Sequence, residues 1–343
     1  MLNKVRLLTP GPTPLPERVR LALAKDMIHH RKSEFMAIMG RVQEGLRTLF
    51  GTAGTVLPLT SSGTGAMTAA VYNLFAPGEK VLVVEGGKFG QRWREIAVSR
   101  GLEVVTVSVP WGKAVEPQDV ADALAADPAI VGVLVQHSET STGVLHPVRE
   151  IAAVTRKSPA LLLVDGISAV GLAPCPMDQW GIDCLVTGSQ KGLLLPPGLA
   201  LLALSPRGWE KAAATVTGCF YFNLPKEKAK VEQGQTLFTP AINLLVALEE
   251  SLALLLENGL EALYAKQWAL TMMARTGVSV MGLELFAKSH FSWGVTSVLL
   301  PPGVDGGAVL RRAQEEFGIC MAGGQDQYKG RMVRIGHMGW VDW

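Results

Sequence analysis

The sequence predicts an α/β protein with a mostly parallel central sheet flanked by helices, followed by a smaller α/β domain towards the C-terminus. Short apolar strands alternate with amphipathic segments over the central part of the chain, which is typical of such a sheet. Several strands are unbroken apolar runs, as expected of strands that helices cover on both faces. Beyond Pro240 this alternation gives way to a long helical pattern.

The elements of the central sheet can be placed from these patterns. Strands are predicted at 80–84, 103–109, 129–135, 161–164, 184–187 and 199–204, and helices around 95–99, 117–125 and 148–156. Pro117 suits the first turn of its helix, where no backbone N–H is needed.

A domain boundary is predicted near residue 257. Leucines recur at helical spacing from Leu245 to Leu255, and Asn258-Gly259 is a good C-terminal stop. We therefore expect a large domain of residues 18–257 and a small domain of residues 1–17 and 258–343. The latter carries further patterns at 295–300, 307–317 and 332–335.

Composition excludes several classes of protein. Of the 343 residues 48% are hydrophobic and 18% charged, with a formal net charge of +2, which argues against disorder. Basic residues form no run, so neither nucleic acid nor an anionic membrane is an expected partner. The longest apolar stretch, Leu193 to Leu204, is broken by prolines and is too short to span a membrane. Met1 to Arg6 lacks the apolar segment of a signal peptide.

The cysteines and histidines predict a cytoplasmic protein without a metal site. The four cysteines are widely spaced, which suits a reducing compartment. The six histidines show no metal-binding spacing, and the adjacent His29 and His30 would diverge on a helix.

Small and polar residues follow the predicted strands. Ligands of open α/β sheets bind beyond the carboxyl ends of the strands. The segments at these ends are Glu85 to Gly90, His137 to Gly143, Asp165 to Ser168 and Gly188 to Gly192. We therefore expect a binding site along this edge of the sheet.

Three features of this edge are candidates for chemistry. Thr60 to Gly65 precedes a helix predicted to begin near Ala66 and could bind phosphate, although Ser and Gly there could also be only an N-cap. Asp165 could face a cationic ring nitrogen or simply cap the next turn. Lys191 lies between a buried strand and an apolar segment, and a desolvated lysine has a lowered pKa and can act as an amine nucleophile.

These motifs together resemble a known family. Ser62-Gly63-Thr64, Val164-Asp165 and Gly188 to Lys191 are similar in kind and order to the class V aminotransferases of fold type I, specifically the alanine/serine–glyoxylate group. The resemblance runs over nearly the whole chain. It includes the segments Thr9 to Thr13, His137 to Gly143, Thr239-Pro240 and Val333 to Gly336.

The resemblance implies a pyridoxal 5'-phosphate enzyme in which Lys191 holds the cofactor as a Schiff base and moves a proton. Asp165 would pair with the ring nitrogen and keep it protonated, and Phe89 would stack on the ring. The residues implied to hold the phosphate are Ser62, Gly63, Thr64 and Gln190, joined by Gln235 and Thr239 of the neighbouring subunit of a homodimer with shared active sites.

The resemblance also implies the substrates, a small amino acid and a 2-oxo acid such as glyoxylate or pyruvate, and the roles of three more residues. Thr140 would lie near the phenolic oxygen of the cofactor. Arg334 would grip the substrate α-carboxylate with its planar guanidinium, and the backbone of Gly11 would lie against the same carboxylate.

The sequence departs from the family pattern at three places. Phe89 stands where the family usually has Trp, and Gln235 where Tyr is often found. The family also continues beyond the position of Val341-Asp342-Trp343, so the resemblance implies a small domain that is shortened or truncated at its C-terminus.

Other functions stay open at this point. Phosphoserine and aspartate aminotransferases share the family, as do cysteine desulfurases. A desulfurase needs a mobile late cysteine, whereas Cys320 lies in a predicted strand and suits a packed thiol. A non-catalytic accessory subunit would not need both Lys191 and Asp165.

Overall fold

The strands and helices come from a computed structural model that describes residues 5–342. Met1 to Lys4 and Trp343, which the sequence analysis placed in the small domain, lie outside the described residues. In chain order the strands are β1 (Arg6–Leu7), β2 (Val56–Thr60), β3 (Lys80–Glu85), β4 (Glu103–Ser108), β5 (Ile130–Gln136), β6 (Ser138–Glu139), β7 (Val144–Leu145), β8 (Leu161–Asp165), β9 (Cys184–Gly188), β10 (Leu199–Leu204), β11 (Glu284–Leu285), β12 (Val295–Leu299), β13 (Ile319–Cys320), β14 (Ala322–Gly323) and β15 (Met332–Gly336).

Helices pack against both the large sheet and the small one. They are α1 (Glu17–Leu23), α2 (Ser33–Phe50), α3 (Gly63–Leu74), α4 (Lys88–Ser99), α5 (Pro117–Ala126), α6 (Val148–Thr155), α7 (Met177–Trp180), α8 (Pro206–Ala214), α9 (Leu224–Val231), α10 (Ile242–Leu256), α11 (Gly259–Val280) and α12 (Gly306–Phe317).

A seven-stranded sheet in the order β2-β10-β9-β8-β5-β3-β4 forms the core of residues 56–204. Strand β10 runs antiparallel to both of its neighbours, and the other pairs are parallel. Every residue of β8, β9 and β10 is buried, as expected of apolar strands covered on two faces. The predicted mostly parallel sheet is confirmed.

Strand β2, at the edge of this sheet, was not predicted. Pro58 lies in its middle and lacks a backbone donor, so proline argues against a central strand and is tolerated at an edge. The order places β2 at an edge, where it pairs with β10 from Thr60↔Leu199 to Val56↔Ala203. With β2 in this position, Ser61 and Ser62 lie at the same end of the strands as the residues that follow β8 and β9.

Several helices differ from the prediction: α1, α2, α7, α8 and α9 were not predicted, and two further differences concern α3 and α11. Helix α3 begins at Gly63 rather than near Ala66, so the predicted phosphate-binding residues form its first turn. Helix α10 ends at Leu256 as predicted, but the long helix α11 follows directly and was not foreseen. The buried face of α11 carries Gln267, Thr271 and Arg275, and these polar residues hide the apolar periodicity by which a helix is recognised.

A second sheet of four antiparallel strands, in the order β11-β12-β15-β14, lies in the C-terminal part of the chain. Strand β1 pairs in parallel with β13, with Arg6 opposite Ile319 and Leu7 opposite Cys320. Hence the predicted strand at Cys320 is confirmed. The division of the chain at residue 257 stays a prediction.

Within residues 5–342, no helix has both the length and the apolar composition needed to cross a membrane.

Candidate active site

The carboxyl ends of β2, β8 and β9 bring the predicted site residues to one edge of the large sheet. Asp165 is the last residue of β8, and Lys191 follows β9 after a short turn. The charges of both residues affect each other's pKa, so they lie close enough to interact. The sheet therefore brings together the carboxylate and the amine that the sequence analysis singled out.

Lys191 is almost completely buried, with 9% of its surface exposed. Its Nζ donates a hydrogen bond to the carbonyl oxygen of Pro10. Burial lowers the pKa of Lys191 to about 8; the charge of Arg334 acts in the same direction, and that of Asp165 opposes it. The predicted desolvation is confirmed, and near neutral pH an appreciable fraction of this amine is unprotonated.

Gly11 lies directly against this lysine. Its φ is +110°, and a Cβ built on it would be 2.5 Å from the Nζ of Lys191. A side chain here would be strained and would displace the amine. The position thus requires glycine.

Asp165 is buried, and its Oδ1 accepts a hydrogen bond from the backbone N–H of Ile167 at 2.8 Å. The carboxylate therefore does cap the following turn, as one of the two interpretations expected. Burial raises the pKa of Asp165 to about 7, opposed by the hydrogen bond from Ile167. Since it forms no ion pair within residues 5–342, Asp165 lacks a directly bound cation.

The first turn of α3 presents backbone N–H groups and hydroxyls. Ser62 occupies the N-cap position, but its side chain makes no capping hydrogen bond to the described part of the helix. Its hydroxyl is therefore not used as a simple cap. A side chain at Gly63 would collide with Ile167, so the loop packs against the turn that follows Asp165.

Gln190 lies beside Lys191, where the family resemblance expects a phosphate ligand. Its Oε1 is buried and has no hydrogen-bond partner among the described residues. A buried amide group without a partner is costly and is a mark of a site that binds something else.

Arg334 and Thr140 connect the second sheet to the large one. The Nη1 of Arg334 donates to the carbonyl oxygen of Thr140 at 3.0 Å, and its Nε donates to that of Gly323 at 2.8 Å. The hydroxyl of Thr140 donates to Ser168 at 2.7 Å. Burial lowers the pKa of Arg334, yet a guanidinium stays charged at any ordinary pH.

Phe89 lies in the first turn of α4, whose backbone is held by a carboxylate that the sequence analysis did not single out. Glu139 is fully buried and accepts hydrogen bonds from the N–H groups of Phe89 at 3.0 Å and Gly90 at 3.1 Å. A carboxylate at a helix N-terminus is favoured by the helix dipole. The signal for Glu139 in the sequence was its position within segment 137–143, which was predicted to lie at the binding edge of the sheet.

Arg92 was also missed. Its Nη1 donates to the hydroxyl of Thr64 at 3.2 Å, and its guanidinium lies over the ring of Phe89, with 4.8 Å between Cζ and the ring centroid. The signal in the sequence was its spacing of one helical turn from Phe89.

Gln235 and Thr239 are not joined to this group. Gln235 accepts a hydrogen bond from Arg31 at 2.7 Å, and Thr239 is exposed. No hydrogen bond among the described residues connects either of them to Ser62, Thr64 or Lys191. The roles that the family resemblance implies for Gln235 and Thr239 require a second subunit.

The two adjacent histidines, His29 and His30, lie outside a helix, so the divergence expected on a helix does not apply to them. Their rings stack with centroids 5.0 Å apart. In the part of the chain that the structure describes, no three His, Cys, Asp or Glu side chains cluster closely enough to hold a metal ion.

Comparison with known protein families shows the family of this chain. Residues 9–340 match the family described as Aminotransferase class-V. The chain belongs to the class-V aminotransferases. It is a pyridoxal-phosphate-dependent aminotransferase, as the resemblance in the sequence implied.

Several curated relatives of this aminotransferase align over nearly its whole length. Serine–glyoxylate aminotransferase from Methylorubrum extorquens is 36% identical over 347 residues, which cover 97% of this chain and 86% of the relative. A protein from Synechococcus named soluble hydrogenase, small subunit, is 38% identical over 345 residues, covering 99% of this chain and 90% of the relative.

Solved structures give the same result. Alanine–glyoxylate aminotransferase from Nostoc superposes with a TM-score of 0.95 and 30% identity, over 99% of this chain and 91% of the other. Aspartate aminotransferase from Thermus thermophilus has a TM-score of 0.92 and 37% identity, over 98% of this chain and 94% of the other. A phosphoserine aminotransferase and a cysteine desulfurase share 22% and 15% identity, and these likenesses show the fold alone.

Proposed function

We propose that this aminotransferase transfers the amino group of a small amino acid, alanine or serine, to a 2-oxo acid such as glyoxylate or pyruvate. One observation carries the proposal: the desolvated amine of Lys191 lies beside buried Asp165, and Arg334 is near enough to depress the pKa of that amine. Such a site contains an amine nucleophile, a buried carboxyl group and a carboxylate-binding cation.

The residues of the site fit pyridoxal phosphate. Asp165 is a buried carboxylate without an ion-pair partner in residues 5–342, which a protonated ring nitrogen would satisfy. Gln190 has an unpartnered buried amide oxygen, and rotation of its carboxamide would present its NH₂ group to a phosphate. The hydroxyl of Ser62 is not consumed in capping.

The binding roles follow from these positions. Ser62, Gly63, Thr64 and Gln190 would hold the phosphate, through hydroxyl and N–H donors at the start of a helix. Phe89 would cover the ring, and Thr140 would lie near its phenolic oxygen. When bound, the cofactor supplies a conjugated cationic ring that accepts the electron pair released at the substrate Cα.

The protein's own residues would handle the substrate and the proton. Arg334 would bind the α-carboxylate, with Gly11 leaving room for it beside Lys191. The neutral Nζ of Lys191 would take the proton from the substrate Cα and deliver it to C4′ of the cofactor in the first half-reaction. In the second it would carry a proton from C4′ to the Cα of the amino acid formed from the 2-oxo acid. The lowered pKa of Lys191 makes the neutral amine available for this step.

The choice of glyoxylate as the acceptor is supported by the names of relatives. Serine–glyoxylate aminotransferases from Methylorubrum extorquens and Hyphomicrobium methylovorum and an L-aspartate–glyoxylate aminotransferase from Paracoccus denitrificans all use that acceptor by name. The donors in these names differ, so the donor is the open part of the proposal.

A second candidate is a non-catalytic subunit of a larger complex. It is favoured by the printed names of two relatives, the soluble hydrogenase subunits of Synechococcus and Anabaena cylindrica. The buried Lys191 and Asp165 support the enzyme instead, because a scaffold has no need to desolvate two charges beside each other.

We also propose a cytoplasmic homodimer with shared active sites, in which residues 18–257 form the cofactor-binding domain and residues 1–17 and 258–343 the small one. Phe220 is 82% exposed and packs beside Phe238, the neighbour of Thr239. An exposed aromatic surface of this kind is typical of an interface. This surface supports the proposal that Gln235 and Thr239 reach the phosphate of the other subunit.

The proposed cytoplasmic location is supported by the four free cysteines, which suit a reducing compartment.

The proposal is tested by adding pyridoxal phosphate to the cofactor-free protein and recording its absorption spectrum. We expect a band of the lysine-bound cofactor that bleaches on adding alanine, serine or aspartate, and a product assay with glyoxylate and with pyruvate identifies the pair. A protein that forms no such band, even with excess cofactor, is the outcome expected of the non-catalytic subunit.

A further inference from the structure

Arg92 lies between two parts of the cofactor site that the family resemblance treats separately. Its guanidinium contacts the hydroxyl of Thr64 in the first turn of α3 and the ring of Phe89 in the first turn of α4. One side chain thus joins the phosphate loop to the residue that covers the ring.

The direction of the hydrogen bond to Thr64 matters. A guanidinium has only donors, so the hydroxyl oxygen of Thr64 must accept from Arg92. The proton of that hydroxyl is then free for another acceptor. Thr64 is thereby set as a donor at a helix N-terminus, where anions bind.

In the described part of the chain, no carboxylate is directly bound to Arg92. It forms no ion pair within residues 5–342, and it is only partly exposed. Arg94 on the same helix differs, because its Nε lies 2.7 Å from Glu85. Arg92 is therefore an uncompensated cation beside the phosphate loop, where a phosphate is its natural counter-charge.

We propose that Arg92 is the positioning residue of the cofactor site: it orients the Thr64 hydroxyl towards a phosphate, adds positive charge to that loop, and holds the ring of Phe89. This inference rests on the proposed function, since it concerns the pyridoxal phosphate site. The guanidinium covers part of the ring, which gives the smaller phenylalanine a fixed orientation where the family usually has tryptophan.

The same charge reaches the catalytic pair. Arg92 lowers the pKa of Asp165, which favours the carboxylate, and it also lowers the pKa of Lys191, which favours the neutral amine. Both effects act in the direction that the chemistry of the site needs.

The test compares the binding of two ligands by the cofactor-free protein: pyridoxal phosphate and pyridoxal, which lacks the phosphate. The variants are Arg92→Met, Arg92→Lys and, as the matched control on the same helix, Arg94→Met. Dissociation constants come from absorbance and fluorescence titrations, so the measurement does not depend on turnover. Circular dichroism establishes that each variant is folded.

We expect Arg92→Met to raise the Kd of pyridoxal phosphate about ten- to hundredfold, the range for a hydrogen bond to a charged group. The Kd of pyridoxal should change by less than about threefold, because no phosphate is present to lose. Arg92→Lys should restore most of the affinity, since it keeps the charge and a donor, and Arg94→Met should bind both ligands like the wild type.

A double-mutant cycle with Thr64→Val tests whether Arg92 acts through that hydroxyl. If it does, the combined variant loses less affinity than the product of the two separate losses. Wild-type affinity for pyridoxal phosphate in Arg92→Met, or equal losses for the two ligands, would overturn the inference. If Arg92→Met does not fold, an Arg92→Lys variant that binds as poorly as Thr64→Val overturns it as well. Failure of the wild-type protein to bind pyridoxal phosphate is a different result and contradicts the proposed function.

Discussion

The two sides of the site are built in different ways. The cofactor side, consisting of the residues proposed to bind the cofactor (Ser62 to Thr64, Asp165, Gln190 and Lys191), follows strands of one buried sheet. The carboxylate side, consisting of the residues proposed to bind the substrate carboxylate (Gly11 and Arg334), comes from the N-terminal segment and from the second sheet. The first has its geometry fixed by strand pairing, whereas the second depends on how two parts of the chain pack together.

Few direct bonds join the two sides. Lys191 donates to the carbonyl of Pro10, and its own carbonyl accepts from Thr13 at 3.3 Å. Arg334 donates to the carbonyl of Thr140. In each of these bonds the acceptor is a backbone oxygen and not a carboxylate, so no ion pair joins the described residues of the two sides, and changes on one side should leave the binding groups of the other largely intact.

Lys191→Ala on the cofactor side should have the largest effect. Because this variant loses both the nucleophile and the proton carrier, turnover should fall at least about 10³-fold with every donor. Steady-state transamination and the absorption of the bound cofactor measure it. The exposed Lys288, changed to Ala in the same way, serves as the control. Turnover at the wild-type rate in Lys191→Ala would show that the lysine is misassigned.

Asp165→Asn should change how stability depends on pH. With its pKa raised to about 7, the folded cofactor-free protein keeps this proton between about pH 4 and 7 while the unfolded chain loses it. The contribution of Asp165 to stability therefore falls as pH rises through this window, by up to about 4 kcal/mol. The Asn variant lacks that loss. Its free energy of unfolding relative to the wild type should increase over the window, measured by urea denaturation. A constant difference contradicts the raised pKa.

Arg334→Lys on the carboxylate side should weaken substrate binding selectively. Lysine cannot reproduce a planar guanidinium grip, so KM for amino acids should rise about 10- to 100-fold. The affinity for pyridoxal phosphate should stay within about twofold, since the cofactor side is untouched. The exposed Arg331, changed to Lys, is the matched control. An equal loss of cofactor affinity would mean that the two sides are not separable.

Phe89→Trp should have the smallest effect. A larger ring adds stacking area worth about 0.5–1.5 kcal/mol, so cofactor affinity should increase about two- to tenfold. The gain should be greater for the wild-type Arg92 background than for Arg92→Met, because the guanidinium orients the ring. Titration of the cofactor-free proteins measures it, and a weaker affinity of Phe89→Trp in both backgrounds would show that phenylalanine is required by the space available.

The cofactor side was largely predictable from sequence. Asp165 and Lys191 follow buried strands that read as apolar runs, and residues after parallel strands meet at one edge. Edge strand β2 was missed because Pro58 interrupts it. Helix α11 was missed because polar residues such as Gln267, which donates to the carbonyl of His337 at 3.0 Å, lie on its buried face. Local periodicity cannot reveal a polar residue that is satisfied by a distant backbone.

The motifs along the chain thus indicated the family by resemblance, and the apolar runs predicted the parallel sheet and placed a lysine and a strand-end aspartate at one end of it. The packing of distant segments settled the rest. Gly11 meets Lys191, Arg92 meets Thr64, and Arg334 meets Thr140 across long stretches of chain. In each contact, tertiary packing decides which residue a side chain meets. No periodic pattern in the sequence indicates such a contact. The shift in the pKa of Lys191 arises in the same way, because burial is a property of the folded chain and not of the residue.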